Sequence, residues 1–135
     1  MLGEILYEEK GRTTGVRVLS SEGGEVTLEI SLATEGRILG VEQKSMWTYT
    51  SKTRADGSIH GDGNGFMTTA NGDVIRLSGS GSAAGVKGDG SIQYRGAVHF
   101  HTNSPKFSKL NGVAGAFEYN VAADGSTVAT VWEWK

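Results

Sequence analysis

The last quarter of the chain alternates in character with little interruption: Val113-Ala114-Gly115-Ala116-Phe117-Glu118-Tyr119-Asn120-Val121, then Val128-Ala129-Thr130-Val131-Trp132-Glu133-Trp134. A period of two puts successive side chains on opposite faces of an extended strand. Runs of the same kind fill most of the sequence. Asp56-Gly57, Asn71-Gly72, Asp89-Gly90 and Asp124-Gly125 separate them. Such pairs favour the tight turns that join antiparallel strands, because both residues tolerate positive φ. With a weaker turn at Glu35-Gly36, the pattern predicts eight strands at about 3–19 (bent near 11–15), 25–34, 37–53, 58–69, 73–86, 91–102, 113–122 and 126–134. The Gly-Ser stretch 78–85 also fits a flexible linker.

Each turn fixes a register. Read as two-residue loops, the strong turns set Trp47 opposite Phe66, Tyr49 opposite Asn64, Phe66 opposite Leu77, Gly81 opposite Val98, Gly79 opposite Phe100 and Phe117 opposite Trp132. Glu35-Gly36 sets Ile30 opposite Val41 and Leu32 opposite Leu39. One continuous apolar face results, and a one-residue slip would turn a strand inside out. Eight twisted antiparallel strands tend to close, which removes the exposed edges. The fold class expected is therefore all-β: an eight-stranded antiparallel up-and-down barrel, one domain over residues 1–135. Between strands six and seven, Ser104, Pro105 and Gly112 sit as the N-cap, first residue and terminator of one short helical turn. Phe107 and Leu110, three apart, would face the barrel together, as the apolar anchor of a simple crossing loop or, alternatively, as a plug for that end.

Composition narrows the classes of function. The 135 residues include 21 Gly, one Pro and no Cys, with a formal net charge of −2. Disulfides and thiolate metal sites are excluded. The near-neutral balance, with pI about 5.9, offers no basic surface for nucleic acid. No apolar run approaches the ~20 residues of a membrane-spanning helix, and the start is too acidic for a signal peptide. The expected setting is cytoplasmic, with neither nucleic acid nor membrane as partner.

His99 and His101 share one strand face, but no third ligand joins them, so no metal is expected. The glycines of Gly61-x-Gly63-x-Gly65 and Gly79-x-Gly81 have no helix after them and cannot cradle a dinucleotide or a phosphate. No other cofactor is indicated. In the derived register Gly61, Gly63 and Gly65 line the outside, a strip that would suit a subunit contact. Trp132 and Trp134 face the core.

The inward set carries the candidate site. His60, Asp62 and Asn64, with Tyr49, face inward, and their cross-strand neighbours on the following strand are Ala83, Gly81 and Gly79, so polar groups look into space no side chain fills. Trp47, Phe66 and Phe100 add apolar walls. An apolar pocket with a few convergent polar groups is the usual form of a small-molecule site. Asp62 and His60 are then the candidates for moving a proton. The alternative is a wet polar rim that only closes a hydrogen-bond network.

The segment Leu110-Asn111-Gly112-Val113-Ala114-Gly115-Ala116-Phe117-Glu118-Tyr119 resembles a recurring motif of the allene oxide cyclase-like barrels, a superfamily that includes the plant dirigent proteins. The resemblance implies an eight-stranded barrel with an internal apolar cavity, often assembled as a homodimer or homotrimer. Val113 stands where the motif usually has a second Gly, and no active-site residue of the cyclases is carried over. Three readings follow: a barrel that binds an apolar or amphipathic small molecule, a cofactor-free isomerase or cyclase acting in the lumen, and an oligomeric interaction module without a ligand.

Overall fold

The computed structural model describes residues 1–135. Eight antiparallel strands close on themselves in sequence order: β1 (Leu2–Ser20), β2 (Val26–Ile38), β3 (Val41–Thr53), β4 (Ile59–Thr69), β5 (Val74–Ala83), β6 (Ile92–Thr102), β7 (Ala114–Val121) and β8 (Ser126–Trp134). A 3-10 helix, Pro105–Gly112, joins β6 to β7. The stretch read alternatively as a linker is instead strand as far as Ala83. The anticipated bend in β1 is a register shift against β2 between Thr13 and Gly15. No helix is long and apolar enough to cross a membrane.

Two expectations fail. The turn after β2 lies at Leu39-Gly40, not at Glu35-Gly36, and Ile38 pairs with Val41. Ile30 is therefore opposite Tyr49 and Leu32 opposite Trp47. Both turn residues have positive φ, 48° at Leu39 and 81° at Gly40, as a type I′ turn requires. A leucine there is strained. Its N–H donates to the Leu6 carbonyl at 2.9 Å, and its side chain packs on the core.

The second failure concerns the Asp-Gly and Asn-Gly turns. All four hold a three-residue loop. Gly57, Gly72, Gly90 and Gly125 carry φ of 84–90°, and each N–H donates three residues back, as Gly57 does to Arg54 at 2.9 Å. This is a type I turn followed by a left-handed glycine, and its bulge shifts the register by one. Trp47 is opposite Gly65, not Phe66, and Tyr49 opposite Gly63, not Asn64. Across β4–β5, Gly65 meets Leu77. Across β5–β6 the ladder slips by two, pairing Gly79 with Val98 and Gly81 with Gly96, so faces are preserved. Phe117 is opposite Val131.

The slips on the two sides of β4 compensate each other, and only β4 and β8 turn over. Gly61, Gly63 and Gly65 point inward, not outward. Outside stand Trp132 and Trp134, the latter 62 % exposed, while Thr127, Ala129 and Val131 fill the interior.

The main core lies toward the end closed by the 3-10 helix. Phe107 and Leu110 are 1 % and 0 % exposed and pack on Leu6, Ile38, Met67 and Ile75. Tyr7 meets Phe100 edge to face, with centroids 6.1 Å apart. A smaller cluster of Ile59, Ala83 and Tyr94, with Tyr49, Phe117 and Tyr119 against it, occupies the other end. The candidate site lies between the two.

Candidate functional site in the lumen

Between the clusters the interior is incompletely filled. A cavity of about 80 Å³ is bounded by Trp47, Tyr49, Phe117 and Tyr119, by Val98 and Val131 on the plugged side, and by the glycines of β4 and β5. The glycines explain the space. Gly61 and Gly63 on β4, and Gly79 and Gly81 on β5, present no side chain where the opposite wall is aromatic. The Phe117 ring reaches across to Gly81 and the Trp47 ring to Gly79.

Four aromatic hydroxyls face this interior, and they are all the tyrosines of the chain. Tyr94 and Tyr119 stack with centroids 5.7 Å apart, and Tyr49 stands edge-on to both at 6.0 and 5.8 Å. Such geometry sets positive ring edges against negative faces. The Tyr49 and Tyr119 hydroxyls share a hydrogen bond of 3.2 Å, and Tyr94 shares one with Ser51 at 3.2 Å. Burial is the main force pushing the Tyr49 phenol far above its ordinary range, with the Tyr119 and Tyr94 hydroxyls adding to it. Burial likewise raises Tyr119, Tyr94 and Tyr7. Glu9 adds to the rise at Tyr7 and Tyr119. These are neutral hydroxyls, fit to hydrogen-bond but not to act as phenolate bases.

The interior also holds a carboxyl group that the strand pattern had not singled out. Glu9, 5 % exposed, sits on β1 opposite Gly36 and Ala129, two small neighbours that leave room for it. Its Oε2 accepts from Ser45 Oγ at 2.6 Å and from Gln43 Nε2 at 3.0 Å. Since the Ser45 hydroxyl proton is used there, Thr34 Oγ1 donates to Ser45 Oγ, at 2.5 Å. Glu9 Oε1 takes no hydrogen bond from the protein, and the residue borders the cavity. Gln43 Oε1 is buried without a partner. No Lys, Arg or His lines this space.

The candidate residues divide accordingly. Trp47, Tyr49, Gly79 and Gly81 line the cavity. Phe100 points inward but belongs to the main core. His60, Asp62, Asn64 and Phe66 alternate with the inward residues of β4, so their side chains lie outside the barrel; Phe66 is 41 % exposed. The one-residue bulge at each flanking turn is the reason. Asp62 and Ser80 border the cavity only through the strands that carry them. His60 Nδ1 lies 3.3 Å from Ser82 Oγ on the outer face. His99 and His101 also face outward, with His101 Nδ1 3.4 Å from Arg76. The signal for Glu9 was the alternation Tyr7-x-Glu9-x-Gly11, which sets Glu9 on the face of Tyr7. No Asp-Gly turn leads from β1 to β2, so turn chemistry gave that strand no register.

Comparison with known proteins finds the architecture and no family. No family model matches the sequence, and no curated protein does. Solved structures do resemble it. A β-barrel-like protein from Acinetobacter baumannii AYE superposes with a TM-score of 0.83 at 14 % identity, over 100 % of this chain and 96 % of its own. A conserved protein of unknown function from Rhodopseudomonas palustris gives 0.80 at 16 %, over 99 % of both chains. An enzyme from Penicillium herquei gives 0.70 at 19 %, over 96 % of this chain and 92 % of its own. At these identities the likeness is one of fold.

Proposed function

We propose that this chain is a small-molecule-binding barrel whose ligand occupies the lumen between Trp47, Tyr49, Phe117 and Glu9. The observation that carries the reading is the cavity itself. Interiors are normally close-packed, yet here about 80 Å³ stays open between two well-packed ends, opposite glycines and beneath aromatic rings. An apolar cavity of about 150 Å³ accepts benzene, so the ligand is a compact molecule, apolar or amphipathic, of only a few non-hydrogen atoms.

Xenon NMR tests this without knowledge of the ligand, since xenon enters dry apolar cavities. The expected result is a bound xenon signal in the wild type that is lost in Gly61→Ala. Absence of bound xenon in the folded wild type would overturn the reading.

A second reading, a cofactor-free isomerase or cyclase, draws support from one observation. Glu9 is a carboxyl group with one unengaged oxygen in an apolar space, the form of group that moves a proton in a water-poor site. The resemblance to the allene oxide cyclase-like barrels and the Penicillium herquei enzyme among the similar structures agree with it. Glu9 then takes the role that the outward-facing Asp62 and His60 lack.

A further inference from the structure

The charge that lines the lumen is one-sided. Glu9 offers an oxygen that accepts nothing from the protein, and no side chain of opposite charge lines the cavity. Its two donors, Gln43 and Ser45, both meet the other oxygen. The Tyr49 and Tyr119 hydroxyls share one hydrogen bond and the Tyr94 hydroxyl shares one with Ser51, while the Tyr7 hydroxyl has no partner; these groups are polar but carry no charge. A buried carboxylate without a counter-ion is costly, and a partner of opposite sign offsets that cost.

We propose that the lumen selects a small organic cation, a protonated alkylamine. Its ammonium group meets the free oxygen of Glu9, and its alkyl part lies on Trp47, Tyr49 and Phe117. This rests on the lumen-binding reading and adds the chemical class. The cavity is about half the ~150 Å³ that holds the six carbons of benzene. A molecule of roughly three to five non-hydrogen atoms is the matching size.

Isobutylamine as its hydrochloride and isobutanol are near-isosteres that differ in charge. Each is titrated at neutral pH into the wild-type protein and into Glu9→Gln, with the ring resonances of Trp47, Tyr49 and Tyr119 followed by NMR. The expected result is at least tenfold tighter binding of the amine than of the alcohol. In Glu9→Gln the amine falls to the level of the alcohol and the alcohol is unchanged. Equal binding of the two by the wild type overturns the proposal, and that comparison needs no variant to fold. Amine binding that survives Glu9→Gln overturns it as well. If neither molecule binds while xenon still enters, the ammonium assignment fails and the lumen reading stands. If xenon is also excluded, both fail.

Discussion

The Phe117 ring lies over Gly81 so closely that a Cβ added there would stand 2.7 Å from Cζ and 2.9 Å from the Arg95 carbonyl. At Gly61 the nearest atoms to an added Cβ are ring carbons of Tyr94 and Tyr49, at 3.4 and 3.5 Å, ordinary contact distances. The two lumen glycines thus differ in kind: one is required by packing, the other leaves space. Gly81→Ala is expected to cost about 1–3 kcal/mol through overpacking. Gly61→Ala is expected to be neutral or to gain up to about 1 kcal/mol, because alanine restricts the unfolded chain. Urea unfolding of both variants measures the contrast, and equal destabilisation would refute it.

Phe107 tests the plug. Its side chain is 1 % exposed and sits among Leu6, Ile38, Met67 and Ile75 although it comes from the 3-10 helix. Phe107→Ala is expected to cost about 3–5 kcal/mol, the usual range for a buried aromatic. That is a large share of the roughly 5–15 kcal/mol that holds a domain folded. A loss below about 1 kcal/mol in chemical denaturation would mean that the helix merely covers the barrel end.

The strand pattern and turn pairs foretold the number of strands, their order and the short helical turn, because each is written locally: period two along strands, Asp-Gly at turns, Ser-Pro at the start of the 3-10 helix. Which side chains of β4 face the lumen was not legible. It turns on whether Asp56-Gly57 closes a two-residue or a three-residue loop, a difference in backbone conformation that the same dipeptide permits. One residue decided whether Asp62 or Gly61 entered the barrel. Leu39-Gly40 was missed for another reason, since leucine tolerates positive φ there only through its contacts with the distant core. Glu9 and its partners Thr34, Gln43 and Ser45 come from three neighbouring strands, and only the β1–β2 and β2–β3 registers, which no Asp-Gly turn marks, bring them together.

All four tyrosines have phenols held above their ordinary value of 10.0, with burial the leading cause in each. The folded chain therefore keeps phenolic protons that the unfolded chain releases above pH 10. Where the native state binds more protons, stability falls as pH rises. The tyrosine contribution is fully present below pH 10 and is lost progressively above it. In an alkaline titration, phenolate absorbance is expected to grow only together with loss of the near-UV circular dichroism of the fold. A tyrosine that titrates near 10 in the folded protein would show that water reaches the lumen.

The acid side depends on the turns. Asp56, Asp89 and Asp124 each accept, at Oδ1, the N–H and the hydroxyl of the serine two residues on, at 2.9 and 2.6–2.7 Å. The serine hydroxyl is the first cause, and the serine N–H the second, holding these carboxyls below 3.8. Depressed groups stabilise above their unfolded value, and the contribution disappears as pH falls through the folded values. Melting temperature is thus expected to drop below about pH 4. The combined variant Ser58→Ala, Ser91→Ala, Ser126→Ala should show a shallower drop between about pH 5 and about pH 2. An unchanged slope would place the acid sensitivity elsewhere, for instance at Asp73, whose carboxyl is lowered by Ser104 and Thr69.

Glu9→Gln separates a functional group from a structural one. A glutamine oxygen in the place of Oε2 still accepts from Ser45 and Gln43, so the Thr34–Ser45 chain survives the change. What disappears is a charge-bearing group within a lumen that has no cationic side chain. Neutral replacements of buried ionic groups are often neutral or stabilising, and groups retained for binding commonly cost stability. Thermal melts should place Glu9→Gln level with the wild type or higher by about 1 kcal/mol, a few degrees for a chain of this size. A fall of several degrees would identify the carboxyl as a structural tie among β1, β2 and β3. Stability kept or raised, with ligand binding lost, is the pattern of a group held in place for its ligand.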